Sequence, residues 1–219
     1  MFMLNTKGEA GRIQGAPASG RVVVVGRGDR PPATTVVYAE SLDGTVPVRP
    51  GRFKLAQQNK SFHPHILAVP VGSTIDFPNL DPIFHNVFSL SRPAVFDLGL
   101  YRAGASKSRT FAEPATYRVF CNIHPQMTAM ILVLPTSLIT QAEASGAYKL
   151  DLAPGRYRIT VWSESAHPAS VEVSVSDAST AIPDLTLDES KFVELPHKNK
   201  FGQDYPKSAY DPLKDAAPR

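Results

Sequence analysis

Along much of this chain, apolar and polar side chains take turns. Tyr157, Ile159 and Val161 alternate with Arg156, Arg158 and Thr160, and Val171, Val173 and Val175 alternate with Glu172 and Ser174. Successive side chains of a strand point to opposite faces, so a period of two describes strands with one buried face. Short strand-like runs fall at residues 21–25, 34–39, 66–71, 74–77, 85–90, 116–121, 129–134, 147–152, 156–162, 170–175 and 181–187. Turn-forming pairs separate many of them: Asp43-Gly44, Pro50-Gly51, Val71-Gly72, Ser145-Gly146 and Pro154-Gly155. No segment sustains an apolar stripe at helical spacing. An all-β sandwich architecture is therefore expected.

The chain's 219 residues suffice for one large domain or two small ones. Residues 1–19 are small and polar with scattered Gly and Pro, and read as a flexible lead-in. Residues 191–219 turn polar around Pro196, Pro206, Pro212 and Pro218, and read as an irregular tail. The net charge of +3 sits at the ends: residues 1–31 hold five Lys/Arg against two Asp/Glu, and residues 191–219 hold six against four. No basic stripe interleaved with aromatics appears, so nucleic-acid binding is not expected. Nor does any stretch approach the roughly 20 apolar residues of a membrane span. The apolar run Met1 to Leu4 is too short for the core of a secretion signal, which leaves a cytosolic chain or one whose export signal has been removed.

A single cysteine excludes an intrachain disulfide and any zinc site built on two thiolates. It lies in the chemically richest segment, Cys121-Asn122-Ile123-His124-Pro125-Gln126-Met127, which follows the strand-like run Tyr117 to Phe120. A thiol, an imidazole and a thioether within one tight loop can wrap around a single ion. Upstream, His85 in Phe84-His85-Asn86-Val87 adds a second imidazole on a strand. Two imidazoles, one thiolate and a weak axial thioether are the donors of a mononuclear electron-transfer copper site. Taken singly, a cysteine at a strand end is more often a buried apolar residue, and a methionine six residues on more often core. The combined spacing favours the metal.

The stretch from about Phe62 to Leu134 resembles the cupredoxins, amicyanin and plastocyanin among them. The matching pieces are Phe62-His63-Pro64, residues 69–74, Phe77-Pro78-Asn79, Asp81, His85-Asn86-Val87, residues 110–113 and residues 117–127. The short loop with Pro125 after its histidine looks most like amicyanin. The resemblance implies a Greek-key β-sandwich and one type 1 copper held by His85, Cys121, His124 and Met127. It further implies supporting roles for Asn86, which ties the ligand loop to the neighbouring strand, and Pro125, and an apolar electron port of Ile83, Phe84, Ile123 and Pro125. Met130 fits the outgoing strand better than the site. Gly20 to Val25 and Pro31 to Tyr38, continued by residues 141–150 and 153–161, resemble a carboxypeptidase-regulatory-like, transthyretin-type sandwich. The expected organisation is a copper-binding domain at 44–135, inserted into or joined to a second small β-sandwich of residues 20–43 and 136–190.

Other residues carry less. His63 and His65, two apart on a strand, can face one side and chelate a second ion, but solvent- or core-facing histidines are the favoured reading. His167 and His197 have no partner within reach by sequence. Trp162 reads as a sandwich anchor, and Lys198, Lys200, Lys207 and Lys214 as a solvated surface. The function implied by the resemblance is shuttling of single electrons between redox partner proteins through Cu(II)/Cu(I). Copper storage, sensing or delivery would use the same ligands, and a structural or adhesion module is the third reading. An enzyme is not expected: a multicopper oxidase or copper nitrite reductase needs a second centre with extra histidines, and two of the six here belong to the proposed site. By analogy the chain is a monomer in the periplasm or another exported compartment.

Overall fold

The computed structural model describes residues 16–193 and 197–205. It is all-β: the described residues form strands, turns and irregular segments, with no helix long and apolar enough to cross a membrane. Strands β1 (Ala16–Val25) and β2 (Val36–Ser41) open the fold. The next ten are β3 (Arg52–Lys54), β4 (Ala56–Gln58), β5 (Ser61–His63), β6 (Ile66–Pro70), β7 (Thr74–Pro78), β8 (His85–Ser89), β9 (Phe96–Tyr101), β10 (Ser106–Thr110), β11 (Ala115–Phe120) and β12 (Thr128–Leu134). The last six are β13 (Ile139–Gln141), β14 (Ala147–Leu152), β15 (Gly155–Trp162), β16 (Ala169–Val175), β17 (Thr180–Ala181) and β18 (Leu185–Asp188).

These strands make two sandwiches packed back to back. In the first, a five-stranded sheet ordered β6-β12-β11-β8-β9 faces a sheet ordered β10-β7-β3. Between them lie Val69, Ile75, Phe77, Val87, Tyr117, Val119, Ile131 and Val133, all buried. In the second, β14, β1, β17 and β18 face the sheet β13-β2-β15-β16 over Val37, Ala39, Leu150, Leu152, Ile159, Val161 and Leu187. A third, smaller cluster joins the two units, with Val36, Tyr38, Ile139 and Trp162 of the second against Ile66, Met130, Leu132 and Leu134 of the first. The period of two explains this layering. On β12, Ala129, Ile131 and Val133 enter the first core, while Met130, Leu132 and Leu134 face the other unit.

Several sequence expectations change here. Residues 16–19, expected in the flexible lead-in, are paired strand: Ala18 lies opposite Leu150 and Ser19 opposite Lys149, and Ala18 is fully buried. Residues 1–15 lie outside the described residues. The run at 181–187 is two short strands, each parallel to β1, with a break at Ile182 to Asp184. The strand pairing of β1 is with β14, β17 and β18, and that of β2 with β13 and β15. The turn before β14 needs Gly146, whose φ of +84° brings it so close to the Val22 carbonyl that a Cβ would lie 2.2 Å from that oxygen.

Candidate metal centre

The hairpin of β11 and β12 closes its ladder at the pair Phe120 and Thr128. Residues 121–127 therefore leave the sheet as a loop anchored at both ends. Cys121 and Met127 belong to the first core and are fully buried. Two backbone bonds shape the loop: the Cys121 N–H donates to the Met127 carbonyl at 3.2 Å, and the Met127 N–H to the His124 carbonyl at 2.9 Å. Strand β8 starts at His85, also fully buried, and pairs with β11 through Phe88 and Phe120. Asn86 connects the two: its side-chain oxygen accepts the Asn122 N–H at 3.3 Å.

Cys121 Sγ lies 3.8 Å from His85 Nδ1 and 3.8 Å from His124 Nδ1, and the two Nδ1 atoms are 3.2 Å apart. A triangle with those sides has its centre about 2.1 Å from every corner, close to the roughly 2.0–2.3 Å of metal–imidazole and metal–thiolate bonds. The three side chains are therefore spaced around the volume of one metal ion, and they form a His/Cys group able to hold one. The rings stand 4.9 Å apart at 62°, so both edges point inward without stacking.

Electrostatics fits this placement. His85 Nε2 lies 2.7 Å from Asp81 Oδ2, a contact that assigns the proton to Nε2 and leaves the Nδ1 lone pair facing the thiol. Burial works to raise the Asp81 pKa, but hydrogen bonds from the Lys60 N–H, His85 and the Asn59 N–H outweigh it, and the carboxyl lies below its ordinary value. An ionised Asp81 is thus the acceptor that orients His85. Burial pushes the Cys121 thiol up, with N–H groups of Asn86, Ile123 and His124 partly offsetting it. A bound metal would reverse that preference and keep Cys121 as thiolate.

Of the residues expected at the site, His85, Cys121 and His124 converge, Met127 is buried at the loop's end, and Asn86 bridges strand and loop. Ile83, Phe84 and Ile123 are exposed, at 37%, 54% and 47%. Pro125, expected in the same patch, is buried, and its carbonyl accepts from His197 at 2.5 Å. His65 does not pair with His63 on an ion: its Nε2 contacts Glu164 at 2.9 Å, and its Nδ1 the Thr128 carbonyl at 3.1 Å. Trp162 packs between the two units rather than inside one sandwich.

Sequence reasoning missed what three residues do. Asp81 is among the matched pieces above, but its role beside His85 does not show there: it stands four before His85 in a turn, where that spacing has no regular meaning. His197 was expected to have no partner, yet its ring stacks on Phe120 at 3.9 Å and 17°. Lys200, expected to be solvated, reaches Asp97 Oδ2 at 2.9 Å. No local pattern signals either contact. Lys207 and Lys214 lie outside the described residues.

No family model matches the chain, and no curated protein does. Among solved structures it is similar to an amicyanin variant in the Cu(I) form, 24% identical over 37% of this chain and 81% of that one, with a TM-score of 0.36. A purple cupredoxin from Nitrosopumilus maritimus is 22% identical over 37% of this chain and 98% of that one, with a TM-score of 0.34. A copper-containing nitrite reductase from Thermus scotoductus is 26% identical over 52% of this chain and 28% of that one, with a TM-score of 0.37. These TM-scores are low, so the weight falls on the chain's own geometry. The comparisons give no support to a carboxypeptidase-regulatory-like assignment of the second sandwich.

Proposed function

We propose that the chain binds one copper ion at His85, Cys121 and His124, with Met127 as a weaker fourth ligand, and carries single electrons between redox partner proteins. The observation that supports this most is the triangle of two Nδ1 atoms and one Sγ, sized for one ion. The donor set narrows the metal: thiolate favours Cu(I), and imidazole suits both oxidation states. Copper there would supply reversible one-electron chemistry. The chain's own part is to hold the donors still. Asp81 fixes the His85 ring, Asn86 fixes the loop, and burial of Cys121 excludes water from the thiol. A site that keeps its shape through both oxidation states needs little rearrangement when an electron arrives or leaves.

In this reading the chain is a carrier and not a catalyst, works as a monomer in the periplasm or another exported space, and meets its partners at Ile83, Phe84 and Ile123. Residues 44–135 are the copper-binding domain, inserted in a sandwich of residues 20–43 and 136–190 whose first strand extends back to Ala16. The pairing of β1 and β2 with strands beyond Thr136 supports that division.

Titration of the metal-free protein with Cu(II), followed by absorption and EPR, tests the proposal. At one equivalent an intense visible band is expected, absent from Cys121→Ser. A wild-type protein that stays folded and colourless overturns it.

A further inference from the structure

The segment following the second sandwich returns to the other unit and lies against the ligand loop. His197 donates to the Pro125 carbonyl at 2.5 Å and stacks on Phe120, the residue before Cys121. Arg118 covers the Phe120 ring as well, 5.3 Å from its centroid. The Lys200 N–H donates to the Asn122 side-chain oxygen at 3.0 Å, and the Tyr205 hydroxyl lies 3.5 Å from the Cys121 carbonyl. Three of the seven loop residues are thus held by groups more than 70 positions away in sequence.

One part of this contact closes a circuit. Lys200 Nζ donates to one oxygen of Asp97 at 2.9 Å, and Asn86 Nδ2 donates to the other at 2.7 Å. Asn86 in turn accepts from the Asn122 N–H, and Asn122 accepts from the Lys200 N–H. Four hydrogen bonds therefore link the C-terminal segment, β9, the residue after His85 and the residue after Cys121 in a ring. Removing the Lys200 side chain opens the ring at Asp97, while the bond to Asn122, donated by the Lys200 backbone N–H, does not depend on that side chain. The segment is itself shaped: Asn199 accepts from the Phe201 and Gln203 N–H groups at 2.9 and 3.0 Å.

We propose that residues 197–205 clamp the loop 121–127, with His197 and Lys200 as positioning residues that hold its shape and keep the Cys121 thiol shut away from solvent. The inference rests on reading that loop as the metal-binding one. Physically, the loop has few bonds of its own, and a loop held by few bonds opens locally at low cost. External bonds to the Cys121 and Pro125 carbonyls and to the Asn122 side chain raise the cost of opening. The donors then wait in place for the ion.

Cys121 is the chain's one thiol, which makes opening measurable without any metal. The test is the rate at which a small aromatic disulfide modifies Cys121 in the metal-free full-length protein. His197→Ala/Lys200→Ala is expected to react roughly ten-fold faster than wild type, with its thermal melting nearly unchanged. His197→Gln, which keeps a donor toward the Pro125 carbonyl, is expected to recover part of the protection. Rates equal to wild type in the double variant overturn the clamp. If the double variant fails to fold, His197→Ala alone decides by the same criterion. With copper, the double variant is expected to bind Cu(I) roughly 10- to 100-fold more weakly and to show an altered copper hyperfine splitting. A wild type that takes up no copper sinks the carrier reading, while faster thiol modification in the variants still upholds the clamp. A blue wild type whose variants match it in both thiol rate and copper affinity upholds the carrier reading and sinks the clamp.

Discussion

The two sandwiches share a fold class but bury different things. The second builds its core from Val, Leu, Ile and Tyr on alternating strand positions, and its buried polar groups are scattered, as with Thr35, Thr160 and Glu189. The first also has an apolar core, but at one end it buries Asn79, Asp81, His85 and Asn86 together. Burying a polar side chain costs free energy unless it is paired. Here the pairing is extensive: Asn79 donates to the Ile83 carbonyl at 2.8 Å and accepts from the Asp81 N–H at 3.1 Å, Asp81 holds His85, and Asn86 holds Asp97. The second sandwich buries one carboxylate, Glu189, paired with Arg27 and Arg30, but no comparable group of imidazole, carboxylate and amides among the described residues. In the proposed reading the buried polar end carries the site, and the rest is scaffold.

The contrast can be broken by experiment. The largest effect is expected from Ile159→Ala in the second core, which should destabilise the protein by roughly 2–5 kcal/mol while the folded fraction keeps its copper spectrum. A spectrum that changes with Ile159 while the protein is still folded would end the division between scaffold and site. Asp81→Ala is expected to do the reverse. Metal affinity should fall roughly 10- to 100-fold, measured by competition with a chelator, and thermal stability should suffer less than in Ile159→Ala. Unchanged affinity would remove Asp81 from its orienting role.

The smallest effect concerns the join between the units, where His65 meets Glu164. The hydrogen bond to Glu164 raises the His65 pKa above 6.5, against desolvation, which lowers it. A pKa raised in the folded state gives stability that is fully present below the unfolded value and is lost as pH rises through the folded one. The His65 side chain is 45% exposed, so solvent screens the pair and the contribution is small. Thermal melts from about pH 6 upward should show wild type losing a slight advantage over His65→Gln. Parallel melting curves would remove the pair from the stability of the join.

Legibility in the sequence followed locality. Strands β15 and β16 announce themselves because one face of each is apolar. Strand β10, Ser106–Thr110, has no apolar residue at all, and β9 is interrupted by Gly99 with φ of +70°. Both are strands because of what they pair with: β10 with β7, and β9 with β8. The three-residue strands β3, β4, β5 and β13 are too short to show any period. The site divides in the same way. Cys121, His124 and Met127 share one loop, so their spacing is visible in one dimension, and His85 stands out as an imidazole on a strand. His197 and Lys200 act through contacts that exist only once the chain has folded back on itself, while Asp81 is near His85 in sequence but sits in a turn that has no period to mark it.

Strand β12 leaves the ligand loop and at once serves two masters, with one row of side chains in the first core and the other against Val36, Tyr38 and Trp162. The first unit cut out at residues 44–135 would carry that second row, Met130, Leu132 and Leu134, into water beside Ile66. Such a strip invites self-association. The portable part of this molecule is therefore smaller than a domain. Exchanging residues 122–126 disturbs neither core, whereas excising the unit around them uncovers a surface built to stay dry.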